Sequence, residues 1–186
     1  MKKSILVPTI ALFVICLVAT TLLAFANSVT APIIEELAIK TEIETRKTVL
    51  TAAEEFKDET ADGISYALGV DKDGNSVGMV FTTTAKSYGG EILVMTGVSM
   101  DGKITGVELL SINDTAGLGM NATKPAFKDQ FIGLINGVKV MKNSSNHDNN
   151  EITALTGATI TSQAVADAVN AALANFEAVT GKAGAN

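Results

Sequence analysis

The sequence is poor in the residues that metal and disulfide sites need. It has one cysteine, Cys16, within an apolar N-terminal run, and one histidine, His147, within an asparagine-rich stretch. Disulfide frameworks need pairs of cysteines, iron–sulfur clusters need several, and zinc or haem sites draw on histidine or cysteine. The composition therefore predicts no disulfide, no iron–sulfur cluster and no metal site. A lone histidine in a polar stretch is expected to be a surface residue.

Positive charge is also scarce. The 186 residues include 14 lysines and arginines against 20 aspartates and glutamates, which gives a net charge of −6. Proteins that bind nucleic acids neutralise phosphates with a basic surface. We therefore expect no nucleic-acid partner. The length fits one globular domain with an appendage.

The appendage is an N-terminal run that has no charged side chain between Lys3 and Glu35. Residues 4–26 are almost wholly apolar, and because roughly 20 apolar residues in a helix cross a bilayer, we expect a transmembrane helix there. The lysines of residues 1–3 predict a cytoplasmic N-terminus. The chain is thus expected to be a single-pass protein of the cytoplasmic (inner) membrane, with the remainder outside. Ala24-Phe25-Ala26 also resembles a signal-peptidase site, but the apolar region of a signal peptide is shorter, about 7 to 15 residues.

Beyond the span, the spacing of apolar residues changes from helical to alternating. Residues 30 to 58 have helical spacing, so residues 27–58 are expected to form a juxtamembrane stalk helix. Short β runs with glycine-containing turns between them follow at 64–70, 76–84, 91–99 and 104–112, and predict an antiparallel meander. A short helical piece is expected at 124–134, and residues 158–179 carry the apolar stripe of a longer helix. The fold class is therefore α+β, with an extracytoplasmic domain at residues 59–186.

Hydroxyl side chains are concentrated where this last helix begins. They surround a glycine and an alanine in the order Thr156, Gly157, Ala158, Thr159, Ile160, Thr161, Ser162. The free N–H groups of a first helical turn, together with the helix dipole, attract an anion such as phosphate. Spacing alone also allows a plain N-cap without a ligand, in which Thr156 or Thr159 caps the helix, because Ser and Thr are ordinary caps.

The same segment resembles a known motif. Thr156-Gly157-Ala158-Thr159, followed by Ile160-Thr161-Ser162, is similar to the S/T-G-A-T motif of the FMN-binding domain shared by G subunits of Rnf complexes and C subunits of sodium-pumping NADH:quinone oxidoreductases. The family's acidic-Thr-x-Gly-Leu-Gly loop and its aromatic-Gln-Phe piece also occur here in the family order, as Asp114-Thr115-Ala116-Gly117-Leu118-Gly119 and Phe127-Lys128-Asp129-Gln130-Phe131. The family often has Glu, Pro and an acidic residue where Asp114, Ala116 and Thr153 stand.

The resemblance implies which residues hold the cofactor. In the family, a flavin transferase that uses FAD and magnesium esterifies the FMN phosphate to the last threonine of the motif, here Thr159. The neighbouring residues of the motif, and Thr115 in the loop, are implied to lie around the cofactor. Gly117 and Gly119 let backbone approach a flat ring, and Leu118 offers it an apolar side chain, although the loop also fits an ordinary turn. Lys124 is a candidate for the phosphate, and the candidates to wall the flavin ring are Tyr66, Tyr88, Phe127 and Phe131.

The resemblance also implies a function. It predicts a membrane-anchored flavoprotein, the G subunit of an Rnf-type ferredoxin:NAD oxidoreductase, which relays electrons between the complex's other subunits (D, A, E, B and C) and so supports ion translocation. The C subunit of the quinone-linked complex is the nearest alternative, and the shorter chain favours the Rnf type. Two further alternatives are a membrane-tethered module that binds a phosphorylated ligand non-covalently, and a structural protein whose hydroxyls only cap the helix.

Overall fold

The N-terminal unit of the chain is part of one long helix. The computed structural model describes residues 2–135, 137–143 and 145–183, and the chain divides into a unit of residues 1–42 and a unit of residues 43–186. Helix α1 runs from Lys2–Val49, and its segment from Leu6 onward is long and apolar enough to cross a membrane. The large apolar side chains of residues 6–43 are exposed, which is the arrangement that a lipid-facing helix requires.

The second unit begins with the last turns of α1 and continues into a sheet. Strand β1, Glu55–Ala61, starts soon after α1 ends at Val49. The prediction of helix up to residue 58 is therefore wrong for the residues after Val49. Strand β1 lies at the edge of the sheet and its side chains are mostly exposed, so it lacks the apolar alternation by which sequence identifies a strand. Pairing with β2 overrides the local pattern there.

The sheet is a five-stranded antiparallel meander in the order of the chain. After β1 come β2 (Ile64–Val70), β3 (Ser76–Ser87), β4 (Gly90–Ser99) and β5 (Ile104–Ser111). The predicted α+β fold and its antiparallel meander are confirmed, with β1 as an additional strand. Gly74 and Gly102 adopt positive φ angles of 83° and 80° in two of the turns, a conformation that glycine reaches without strain.

The remaining segments cover one face of the sheet. Helix α2 (Pro125–Lys128) lies between two 3₁₀ turns, Gly119–Thr123 and Asp129–Phe131, and a third 3₁₀ turn is His147–Asn149. Strands β6 (Lys139–Met141) and β7 (Glu151–Thr153) form a short parallel pair. Helix α3, Thr159–Ala183, is the predicted C-terminal helix. Its stripe packs on the sheet in the main core, which includes Phe81, Ile92, Val94, Ile104, Val165, Val169 and Leu173.

The opposite face of the sheet receives the end of α1. Val49 and Leu50 pack there in a second, smaller core with Val80 and Met95. Gly97 leaves room for this contact, because a Cβ atom at that position would lie 2.2 Å from the carbonyl oxygen of Val49. The Thr105 hydroxyl donates a hydrogen bond of 2.5 Å to the same carbonyl. The last turn of α1 is therefore fixed directly on the sheet.

Candidate functional site

A cleft opens where three segments of the domain meet. These segments are the turn between β3 and β4, the loop that follows β5, and the start of α3. The cleft has a volume of about 480 Å³ and is lined by Tyr88, Asp114, Thr115, Leu118, Gly119, Gly157, Ala158, Thr159, Ile160 and Thr161. The structure thus brings the Asp114–Gly119 loop and the hydroxyl cluster of α3, which are far apart in the sequence, into one site.

Two of the clustered hydroxyls are buried and used by the protein itself. Thr161 is 1% exposed and Ser162 is fully buried. The Thr161 hydroxyl donates to a carboxylate oxygen of Asp114 at 2.5 Å. The Ser162 hydroxyl donates to the Ala158 carbonyl at 3.0 Å and accepts from the Leu155 N–H at 2.9 Å. Both side chains therefore shape the start of α3 and are not open to a reagent.

The other two hydroxyls are exposed and face different clefts. Thr159, the first residue of α3, lines the cleft of Tyr88 and Leu118, whereas Thr156 lines a neighbouring cleft. Over the described ranges 2–135, 137–143 and 145–183, no hydrogen bond involves the side chain of Thr156 or Thr159. Neither threonine therefore caps α3 through its side chain. The first-turn N–H groups, which have no acceptor within the helix, remain available to an anion.

Asp114 is a buried carboxylate that binds both sides of the cleft. It is 7% exposed, and it accepts hydrogen bonds from the Ser87 hydroxyl, the Gly89 N–H and the Thr161 hydroxyl, each of 2.5 Å. Burial by itself would raise the pKa of Asp114, but these hydrogen bonds outweigh burial and hold the pKa below its ordinary value. Asp114 is therefore a fixed negative charge in the cleft wall.

Glycine is needed at two positions of the loop for different structural reasons. Gly119 is required by space, because a Cβ atom there would lie 2.6 Å from the Asp114 Cβ atom and 2.6 Å from the Thr161 hydroxyl oxygen. Gly117 is required by conformation, because its φ angle is +78° while the space around it is open. Leu118, between them, is 44% exposed and lies beside Gly157, where a Cβ atom would be 3.2 Å from a Leu118 methyl group.

The neighbouring cleft contains the remaining predicted residues. Its volume is about 470 Å³, and its lining includes Gly117, Lys124 and Thr156 but not Thr159. Lys124 therefore lines a different cleft from Thr159, and the sequence does not reveal this separation. Gln130 and Thr153 also line this cleft, and the Gln130 side-chain oxygen accepts a hydrogen bond of 2.8 Å from the Thr153 N–H.

Of the aromatic candidates for the flavin wall, Tyr88 lines the Thr159 cleft. It is 73% exposed at the tip of the β3–β4 turn. Tyr66 packs against Phe81 with ring centroids 5.8 Å apart, and its hydroxyl donates to Glu59. The rings of Phe127 and Phe131 are buried in the main core and contact each other edge to face, although Phe127 also borders the Thr156 cleft.

Asp114 belongs to the acidic position of the loop motif, but the sequence predicts no site role for it or for its partners Ser87 and Gly89. The usable signal was a small polar residue at the end of a strand, followed by Tyr88 and a glycine pair. That signal does not reveal the partner, because Ser87 and Asp114 are 27 positions apart. Only the pairing of β3, β4 and β5 brings them together.

Comparison with known proteins identifies the family of the chain. Residues 87–174 match the FMN-binding domain family, and this range includes every residue that lines the Thr159 cleft. The chain is 38% identical to the G subunit of the Na(+)-translocating ferredoxin:NAD(+) oxidoreductase complex of Acetobacterium woodii, over 89% of this chain and 88% of that one. It is 31% identical to the G subunit of the proton-translocating ferredoxin:NAD(+) oxidoreductase complex of Clostridium ljungdahlii, over 97% and 96%.

Solved structures share the fold. The crystal structure of the C subunit of the Na(+)-translocating NADH-quinone reductase from Parabacteroides distasonis superposes with a TM-score of 0.51 at 24% identity, over 60% of this chain and 61% of that one. At this identity the likeness concerns the fold alone. The two relatives of the preceding comparison are similar over almost their whole length and at higher identity. The chain therefore belongs to the family of G subunits of ion-translocating ferredoxin:NAD(+) oxidoreductase complexes, with an FMN-binding domain at residues 87–174.

Proposed function

We propose that this chain carries FMN as a phosphate ester of Thr159 and relays electrons within an Rnf-type ferredoxin:NAD oxidoreductase that translocates Na⁺ or H⁺. The family membership and the FMN-binding domain support a flavoprotein subunit of such a complex. Redox chemistry belongs to the flavin, and the protein supplies position, exposure and electrostatics. The chain is thus the electron-transfer part of an oxidoreductase and needs no catalytic side chain of its own.

The observation that carries the proposal is the distribution of the four hydroxyls. Thr161 and Ser162 are buried and hydrogen-bonded, and Thr156 faces the neighbouring cleft. Thr159 alone among the four is both exposed and part of the cleft that Tyr88, Leu118 and Ile160 line. The Thr156 cleft also lies within the FMN-binding domain, but its lining lacks these three exposed apolar side chains. A modifying enzyme can reach this hydroxyl on the folded domain.

The cleft suits a flavin in size and in chemistry. Its volume of about 480 Å³ is within the range of roughly 300–1,000 Å³ that small-molecule sites occupy. Tyr88, Leu118 and Ile160 supply exposed apolar surface around it, with 73%, 44% and 58% of their area accessible. An aromatic ring stacks well on such surface. The first turn of α3, where Thr159 stands, offers N–H groups to a phosphate.

The attachment step exchanges one phosphate linkage for another. The hydroxyl oxygen of Thr159 forms a bond to the flavin-side phosphorus of FAD, the bond between that phosphorus and the bridging diphosphate oxygen breaks, and AMP leaves. The hydroxyl proton is released, and no electron is transferred. A flavin transferase is the proposed catalyst of this step, after which Thr159 has no chemical role in turnover.

The membrane anchor gives a reason for a covalent bond. The apolar part of α1 is long enough to span a bilayer, and the lysines before it favour a cytoplasmic N-terminus. The FMN domain would then lie outside, where a dissociated nucleotide is not replaced from the cytoplasm. The ester removes dissociation while leaving the redox-active ring unchanged. The proposed neighbours in the membrane are the D, A, E, B and C subunits of the complex.

The test is a comparison of threonine variants in the full chain, coexpressed with the flavin transferase. We expect a fluorescent band under ultraviolet light on a denaturing gel, and an intact mass increased by one FMN less one water. Thr159→Ala should abolish both signals. Thr156→Ala is the matched control, since it removes an exposed threonine hydroxyl three positions away, and it should retain the flavin.

The alternatives give different results in the same experiment. A non-covalent phosphate-binding module loses its flavin on denaturation, so the wild-type band is dark. A structural protein binds none at all. Flavin that stays attached in Thr159→Ala would overturn the proposed attachment residue.

A further inference from the structure

The walls of the Thr159 cleft come from separate parts of the chain. Tyr88 stands on the turn between β3 and β4, and Thr159 and Ile160 stand on the first turn of α3. Loops and helix ends at a site move relative to each other unless contacts hold them. The contact that joins these walls is therefore decisive for the geometry of the cleft.

Asp114, which itself lines the cleft, supplies that contact. One carboxylate oxygen accepts from the Gly89 N–H, which immediately follows Tyr88 in the chain. The other accepts from the hydroxyls of Ser87 and Thr161. A single buried side chain thus holds the residues on both sides of Tyr88 and the first turn of α3. Hydrogen bonds to an ionised carboxylate are about twice as strong as neutral ones.

The packing around Asp114 leaves it little freedom. The carboxylate is 7% exposed and Ser87 and Thr161 are 6% and 1% exposed. Gly119 packs against it so closely that a Cβ atom there would overlap with Asp114 and with the Thr161 hydroxyl. A second glycine, Gly89, approaches from the other side, since a Cβ atom there would lie 2.9 Å from an Asp114 oxygen. The charge, the donors and the close packing all fix the same arrangement.

We propose that Asp114 is a positioning residue that sets the separation of the two cleft walls, and with it the orientation of a flavin held between Tyr88 and Ile160. The part of this inference that concerns the flavin rests on the proposed function, whereas the part that concerns the walls does not. Among the described residues, no hydrogen bond joins Asp114 to Thr159. The effect of Asp114 on the cofactor is exerted through Tyr88 and α3.

The first test measures the distance between the two cleft walls in protein produced without the flavin transferase. Nitroxide labels are placed at positions 88 and 160 (Tyr88→Cys and Ile160→Cys), in full-length chain whose single native cysteine is removed by Cys16→Ser. Dipolar electron paramagnetic resonance then gives the distance distribution between the labels. We expect a narrow distribution with Asp114 present, and a longer, broader one after Asp114→Asn.

Matched variants separate positioning from a general loss of structure. Ser87→Ala releases the hairpin side and Thr161→Val releases the α3 side, and each should broaden the distribution less than Asp114→Asn. Asp167→Asn removes an exposed carboxylate of α3 that also accepts a hydrogen bond, from the Gln163 side chain at 2.9 Å. This variant should leave the distance distribution unchanged. Should Asp114→Asn fail to fold, the Ser87→Ala and Thr161→Val results decide the question. An unchanged distribution in folded variants overturns the proposal.

The second test uses flavin-loaded protein. At equal covalent FMN, shown by intact mass, the visible circular dichroism of the flavin should decrease in Asp114→Asn and remain in Asp167→Asn, because the ring is held less rigidly. A merely stabilising role would lower the unfolding temperature and leave this signal intact below it, and that result would contradict positioning. Failure of the flavin to attach would count against the proposed function, while the label distances still test the wall separation.

Discussion

Gly119→Ala is the substitution whose effect follows most directly from the geometry of the cleft. Gly119 is buried, and a Cβ atom there would lie 2.6 Å from the Asp114 Cβ atom, 2.6 Å from the Thr161 hydroxyl oxygen and 2.7 Å from an Asp114 carboxylate oxygen. None of these atoms can move away without breaking the hydrogen bond between Asp114 and Thr161. The added methyl group must therefore displace the Asp114 loop from α3.

The magnitude combines two terms. Overpacking of a filled interior costs about 1–3 kcal/mol, and loss of a hydrogen bond to a charged group costs roughly 1.5–3 kcal/mol. The free energy of unfolding should thus fall by about 2.5–6 kcal/mol. For a domain of this size the unfolding temperature falls by on the order of 10 °C.

The assay is thermal unfolding of the full-length protein in detergent, followed by circular dichroism. Gly117 is the matched control, because it belongs to the same loop but has open space and a φ angle of +78°. Gly117→Ala should cost only the strain of that conformation, roughly 1–2 kcal/mol, and Gly117→Asn less, since asparagine tolerates it. If Gly119→Ala proves as stable as the parent protein, the close packing of Asp114 against Gly119 and Thr161 is refuted.

Further predictions concern the core and the charge of Asp114. Gly97→Ala should lower the free energy of unfolding by about 1–3 kcal/mol in a denaturant titration, because the added Cβ atom would overlap with the Val49 carbonyl. Gly181 lies in open space on α3, so Gly181→Ala should be neutral or should stabilise the fold by up to about 1 kcal/mol in the same titration. Thr96→Val should stabilise by roughly 1 kcal/mol, because the buried Thr96 hydroxyl has no hydrogen-bond partner within the described part of the chain. The pKa of Asp114 is lower in the folded protein than in the unfolded chain. The ionised carboxylate therefore stabilises the fold above the unfolded pKa of about 3.9, and this stabilisation is lost as pH falls through the folded pKa. The unfolding temperatures of the parent protein and of Asp114→Asn, measured against pH, should therefore converge in acid.

Periodicity predicted most elements of the fold for clear physical reasons. Strand β2 was predicted at its observed bounds, because its alternation and the flanking glycine turns are local signals. Strand β1 was missed, since an exposed edge strand rich in charged residues has no alternation to detect. The extension of the stalk prediction beyond Val49 has the same origin. Residues 55–58 are extended because they pair with β2, and local preference does not decide their structure.

The site was predictable in position but not in detail. The hydroxyl cluster and the glycine loop were identifiable from the sequence, yet sequence could not rank Thr156, Thr159 and Thr161 by accessibility. That ranking depends on Asp114, which is 47 positions from Thr161 and meets it only through the tertiary fold. The position of Lys124 in the neighbouring cleft likewise depends on the tertiary fold, which brings it next to Thr156. Such long-range contacts leave no periodic trace in the chain.

The most direct test of the central claim is to locate the flavin by tandem mass spectrometry of a proteolytic digest from full-length protein matured with the transferase. We predict one modified peptide, with FMN phosphate on the hydroxyl of Thr159 and none on Thr156, Thr161 or Ser162. A modification on any of these other residues, or a digest that contains only the unmodified peptide, would contradict attachment at Thr159.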